Sequence, residues 1–218
     1  MYFSGVLPTN LMLFWNPNPT QFISALLNTS LAFFLFSYQV HEKSILLVAI
    51  PSIMAVKIFK GRYSQFITFW FLTVTTFSMW PLLQKDGLQI AFLALQTIFI
   101  VMSHYFGLCE FELTDSRIEK LNFKRSSPKP ITQKDINQAF WCDWFIWTLF
   151  NFSLVGYLVL IFGSICIQPP SQWPHIWPLL ISVFSAVHFV LFWLSFNYCQ
   201  WKMLFKKPII VTEDKKKK

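Results

Sequence analysis

Residues 22–58 read FISALLNTSLAFFLFSYQVHEKSILLVAIPSIMAVKI. Two long apolar runs, Phe22 to Tyr38 and Ser44 to Ile58, are separated by little more than the tripeptide His41-Glu42-Lys43. So short a connection leaves almost no loop, so the flanking segments must reverse direction at the triad. Its side chains are then expected where lipid meets water. An ionisable cluster at that position is a functional-site hypothesis by default.

The rest of the chain has the same character. Of 218 residues, 55% are hydrophobic, 19% aromatic and only 13% charged, with a mean hydropathy of +0.48. A soluble domain carries about a quarter charged residues, and a small domain keeps too much surface in water to hide such a deficit in one core. The remaining solvent is lipid, and the expected fold is an all-α, polytopic transmembrane helix bundle. Spans need ~20 apolar residues, fewer where flanking side chains snorkel. Six segments qualify, at about 21–40, 44–59, 63–83, 87–108, 140–167 and 175–200. Pro51 should kink the second. Residues 1–20 include an apolar run ending at Trp15, too short to cross a bilayer and without a signal-peptide layout. They read as the truncated end of a preceding membrane helix, making the chain the back end of something longer.

Charge distribution sets the expected sidedness. Lys60-Gly61-Arg62, the basic stretch within 109–139 and the lysine-rich tail, 202–218, alternate onto one side of a six-span arrangement, which the positive-inside rule makes cytosolic. The triad then faces the opposite compartment. The 109–139 loop mixes both charges and reads as a solvated connector with a short interfacial helix before Ser126-Ser127-Pro128-Lys129-Pro130. The net charge of +8 lacks the aromatic-interleaved basic stripe of a nucleic-acid surface, so no nucleic-acid partner is expected. Lys215 and Lys216, fourth and third from the end, fit a cytosolic di-lysine retrieval signal; the same tail could act by charge on anionic lipid.

No soluble-enzyme motif is present: no GxGxxG, P-loop, GxSxG or HExxH. Cys109, Cys142, Cys166 and Cys199 are scattered without metal-ligand spacing, so neither metal nor cofactor is expected. His104 and His188 lie inside apolar spans, where a neutral imidazole bonding a neighbouring helix is the simpler role. Asp143 suits the N-terminus of the fifth span. Asn28-Thr29-Ser30 and Asn151-Phe152-Ser153 lie at membrane depth and should not be glycosylated. For the triad, a polar turn with interfacial anchors competes with a sharper reading. Lys and His at headgroup level suit a lipid-linked phosphate, with Glu orienting either one.

The string Phe34-Leu35-Phe36-Ser37-Tyr38-Gln39-Val40-His41-Glu42-Lys43-Ser44-Ile45-Leu46 resembles the endoplasmic-reticulum glucosyltransferases that elongate the lipid-linked oligosaccharide for N-glycosylation. Thr76-Phe77-Ser78-Met79-Trp80-Pro81-Leu82-Leu83, with Lys85-Asp86, is similar to the same family, as is the Gln168-Pro169-Pro170 loop. Ser44 and Phe36-Ser37-Tyr38-Gln39 favour the α-1,3-glucosyltransferase that adds the first glucose over the sibling that adds the second. The resemblance implies the C-terminal portion of a GT-C membrane glycosyltransferase. Such an enzyme moves glucose from dolichyl-phosphate glucose to dolichyl-diphosphate oligosaccharide at the lumenal face. It also implies that His41, Glu42 and Lys43 contact the donor phosphate, and that the catalytic acid lies in a missing N-terminal half, leaving this chain inactive alone. A non-catalytic membrane subunit or remnant stays open as an alternative. A transporter is disfavoured by the lack of repeat symmetry.

Overall fold

The structure is a computed structural model that describes residues 2–38, 41–58, 62–107 and 133–204. Among these residues it is all helix. The order is α1 (Tyr2–Trp15), α2 (Pro19–Phe36), a 3-10 turn (Glu42–Ile45), α3 (Leu46–Ile58), α4 (Arg62–Ser78), α5 (Trp80–Lys85), α6 (Gln89–Tyr105), α7 (Gln133–Cys166) and α8 (Ile176–Leu204). All six expected spans are helical, but their lengths differ. Four apolar stretches are long enough to cross a membrane: Pro19–Phe36, Gln65–Lys85, Trp144–Cys166 and Ile176–Lys202. Lys43–Val56 and Gln89–Tyr105 are shorter. An all-α membrane helix bundle is therefore the architecture, with shorter apolar helices beside the four long ones among the described residues.

Local chemistry explains the boundaries. Asn18 caps α2 by accepting the Gln21 N–H at 2.8 Å, and Pro19 occupies the first turn, where its missing N–H costs nothing. The expected single span over 63–83 is broken between α4 and α5. Pro81 has no N–H for the Phe77 carbonyl, and the Met79 N–H turns back to the Thr76 carbonyl at 3.2 Å. Hydroxyls of Thr73, Thr76 and Ser78 also bond carbonyls within their own helix, which eases such a bend. α7 starts at Gln133, inside the expected 109–139 loop. Asp143 is thus ten residues into the helix, too far from its N-terminus for the dipole reading. The interfacial helix and the proline breaker expected before it fall outside the described residues.

α4 is the hub, and most of Gln65–Lys85 is buried. It runs parallel to α7. Trp70 Nε1 donates to the Ser153 hydroxyl at 3.1 Å, and further up Trp80 Nε1 donates to Ser164 at 2.9 Å. α8 runs antiparallel to both, with Phe71 edge-on to Phe189, Phe192 and Phe196, and Phe77 edge-on to Phe184. α2 packs antiparallel on the other flank of α8, where Phe34 meets Phe189 and Phe36 meets Trp193.

These registers reveal a step. α5 ends at Lys85 beside α7, where Gln84 Nε2 donates to the Ser164 carbonyl at 3.1 Å. Together with the start of α8 this forms an upper rim. The α2–α3 connection stops well short of it. Ile45 and Val48, both fully buried, join one cluster with Phe71, Val74 and Phe189. Counting residues from Val74 to Lys85 and from Phe189 back to Ile176, at about 1.5 Å each, places the top of that cluster roughly 16–20 Å below the rim. The surface of α8 records the same step. Along one stripe Gln200, Phe196 and Phe189 are buried; the next positions up, Ala186, Ser182 and Leu179, are exposed.

Candidate functional site

The triad is built by the 3-10 turn at the head of α3. His41 has an extended backbone (φ −73°, ψ 140°) and caps the turn, its Nδ1 accepting the Lys43 N–H at 3.2 Å. The Ser44 N–H donates to the His41 carbonyl at 2.8 Å, which closes the turn. With Nδ1 used as an acceptor, the proton of the neutral imidazole resides on Nε2, free to be donated outward. His41 and Lys43 are both exposed, and the Lys43 ammonium has no ion-pair partner among the described residues. The Glu42 backbone begins the turn, while its side chain lies outside the described part of the structure.

The head of α3 gathers donors beside one acidic residue. The positive end of α3 opens at the triad, Lys43 adds a full charge, and His41 Nε2–H adds a neutral donor. Glu42, in the same turn, brings the opposite formal charge. Lys85 and Asp86 sit on the upper rim, a step above the triad and separate from it. Lys215 and Lys216 lie outside the described residues. No group of three or more His, Cys, Asp or Glu side chains could hold a metal ion among the described residues.

The intramembrane histidines do something simpler than expected. His188 Nδ1 bonds the Phe184 carbonyl of its own helix at 2.8 Å, and its ring packs on Trp70 and Phe184. The expected bond to another helix is replaced by an aromatic contact. His104 is exposed near the end of α6. Asn151 Nδ2 bonds the Trp147 carbonyl, and Cys166 and Cys199 are free thiols.

One polar cluster was not anticipated from the sequence. Gln200 on α8 is fully buried between α1 and α2. Its Oε1 accepts from the Thr9 hydroxyl and from Asn28 Nδ2 (2.7 Å), and its Nε2 donates to the Thr9 carbonyl at 3.0 Å. The signal lay in α2, where Gln21, Ser24 and Asn28 recur at helical spacing on one buried face. Gln200, which Asn28 meets, lies 172 positions further along the chain and could not be read.

The chain matches known proteins over nearly all its length. Residues 1–196 match the family described as the ALG6, ALG8 glycosyltransferase family. A dolichyl pyrophosphate Man9GlcNAc2 alpha-1,3-glucosyltransferase of Gallus gallus is 35% identical over 198 residues, covering 89% of this chain and 36% of the relative. The protein of Drosophila melanogaster with the same name, there marked probable, is 35% identical over 195 residues, covering 89% and 34%. That of Rattus norvegicus is 34% identical over 196 residues, covering 89% and 36%. The chain thus spans about a third of the length of these curated relatives.

Proposed function

The chain belongs to the ALG6, ALG8 glycosyltransferase family, and we propose that it forms the donor-phosphate end of an endoplasmic-reticulum membrane glucosyltransferase. In that role it is the C-terminal part of a longer enzyme. The enzyme moves glucose from dolichyl-phosphate glucose to the mannose terminus of the dolichyl-diphosphate-linked oligosaccharide. The observation that carries the reading is the family match joined to the triad's geometry: two outward donors, His41 Nε2 and Lys43 Nζ, at the positive head of α3. First-glucose transfer is the reaction we assign, supported by Ser44 after the triad and by the Man9GlcNAc2 acceptor in the relatives' names. The basic connections support a lumenal triad and a cytosolic C-terminus, where Lys215 and Lys216 would serve retrieval. The catalytic acid belongs to the rest of the enzyme, so this chain alone should transfer no glucose.

The chemistry assigned to the triad is charge placement. Lys43 and His41 hold the phosphate while its bond to the sugar breaks and negative charge gathers on its oxygens. Glu42 is assigned to orienting its neighbours. One charge-assisted contact contributes of order 1.5–3 kcal/mol. In the full-length enzyme, Lys43→Ala should therefore lower kcat/KM for dolichyl-phosphate glucose by about ten- to a hundredfold. A loss mainly in KM means the contact forms equally in the ground state; a loss in kcat means it tightens as the phosphate departs. Glu42→Gln should cost less than Lys43→Ala. Wild-type kinetics for folded His41→Ala, Glu42→Gln and Lys43→Ala alike would reduce the triad to an anchor and end this assignment.

A further inference from the structure

Between α4, α7 and α8 the packing leaves a small cavity, with about 10 Å³ for the centre of a water molecule. Most of its wall is aromatic or aliphatic, but three lining residues carry hydroxyls: Thr73 on α4, and Ser153 and Tyr157 on α7. All three are buried. Ser153 and Tyr157 are one turn apart, on the same face of α7. Tyr157 lies about 14 Å along α7 from its end at Cys166, well inside a membrane span. Its phenol ring is held by Phe77, with the ring centroids 4.6 Å apart. The Tyr157 Oη has no hydrogen-bond partner among the described residues. A hydroxyl buried without a partner is costly, and lipid offers it none. Its two neighbours have capacity to spare. Ser153 Oγ accepts from Trp70 Nε1 at 3.1 Å, which leaves a lone pair and its own proton. Thr73 Oγ1 donates to the Phe69 carbonyl at 3.0 Å, which leaves it free to accept.

We infer that this cavity is a binding site for one structural water, which completes the polar seam between α4 and α7. The Tyr157 hydroxyl donates to the water, and the water donates onward to Ser153 Oγ and Thr73 Oγ1. A buried water needs roughly 10–15 Å³ of such space and two to four polar partners. The cavity meets both requirements for a single molecule and leaves no room for a second. The same smallness excludes a lipid chain or a sugar. The position gives the water a structural role. Little of Trp144–Cys166 is buried, and α7 bonds α4 and α5 through two indoles, Trp70 to Ser153 and Trp80 to Ser164. Tyr157 stands between those two bonds along α7, so the water adds a middle rung where the helices otherwise meet only through apolar rings. The site stands on the packing of α4, α7 and α8 and is independent of what the triad binds.

Double-mutant cycles on the thermal unfolding of the whole chain in detergent test this. Val74 also lines the cavity, so Val74→Ile adds a carbon to it. That carbon displaces the water and strands the Tyr157 hydroxyl, so Val74→Ile should lower the midpoint by about 2–4 °C. In the Tyr157→Phe background no hydroxyl needs the water, and the same change should raise the midpoint or leave it unmoved. A dry cavity gives a different pattern, because Val74→Ile then fills a void and stabilises in both backgrounds. Shifts of equal sign and size in the two backgrounds would overturn the proposal. Ser153→Ala supplies a second arm should isoleucine pack poorly. Tyr157→Phe should lower the midpoint of the otherwise unchanged chain by about 2–4 °C. After Ser153→Ala has removed one of the water's partners, it should cost less than half as much. If Tyr157→Phe instead raises the midpoint of the otherwise unchanged chain, its hydroxyl has no partner at all, and the water is equally ruled out.

Discussion

Where α2 and α1 meet α8, the contact is an amide network; where α7 meets α8, two aromatic rings are let into glycine notches. In the first seam, Thr9, Asn28 and Gln200 share three hydrogen bonds across three helices. In the second, Gly156 receives the Phe184 ring and Gly163 the Trp177 ring, closely enough that an added Cβ would stand 2.6 and 2.5 Å from ring carbons. Lipid tails are as apolar as leucine, so burial against another helix gains little there. Association must come from hydrogen bonds or from tight packing. The molecule uses each at a different depth and on a different flank of α8. The packed seam depends on the absence of atoms, and the polar seam on the bonds its side chains exchange, so the two should fail in different ways.

The largest effect is expected at the notch. Gly163→Leu drives a branched side chain into Trp177, whose own Nε1 is held by the Ile167 carbonyl at 3.0 Å. Overpacking of this kind should cost about 3 kcal/mol, seen as a lower midpoint in detergent unfolding. If Gly163→Leu unfolds like wild type, α7 and α8 are not in close contact there. Next comes Gln200→Leu, which strips both Thr9 and Asn28 of a partner and should cost about 1–3 kcal/mol. The sharper comparison adds Thr9→Val and Asn28→Leu to it. Replacing every polar member removes the unsatisfied groups, so the triple variant should be more stable than Gln200→Leu alone. A triple variant markedly less stable than the single one would mean that the amides stabilise through more than mutual satisfaction.

The smallest effect tests whether indole bonds matter beside packing. Trp80 is fully buried and bonds Ser164, and its ring also meets Phe92 edge-on. Ser164→Ala deletes the bond and leaves the ring in place. Interhelical hydrogen bonds in membranes average about 0.6 kcal/mol, so Ser164→Ala should cost about that much. A cost comparable to that of Gly163→Leu would make the bond, rather than the packing, the main link between α5 and α7.

Several features were legible in advance for reasons particular to their residues. The apolar runs around His41-Glu42-Lys43 forced a reversal, and the structure puts a 3-10 turn there. The break at Met79 was not read, although Pro81 stood in plain view, because a proline inside an apolar run can kink, end or merely tilt a membrane helix. α3 carries Pro51 within its helix, whereas α4 and α5 are separated near Pro81. The difference lies in the surrounding hydroxyls and neighbours, which one-dimensional pattern does not show. Asp143 was misplaced for a related reason. Hydropathy marks where lipid begins, but α7 continues past that point to Gln133.

The sequence by itself determined that this chain lives in lipid, that its elements are helices, and that His41 and Lys43 lie beside a reversal. Those conclusions follow from local quantities: charge content, the length of apolar runs and the residues between them. Only the tertiary structure decided how high each helix rises beside its neighbours. That register is set by contacts distant in sequence, Asn28 with Gln200, Phe71 with Phe189, Trp80 with Ser164. It sets the α2–α3 reversal, expected where lipid meets water, a step below the rim, because a helix's length fixes its span while its partners fix its height.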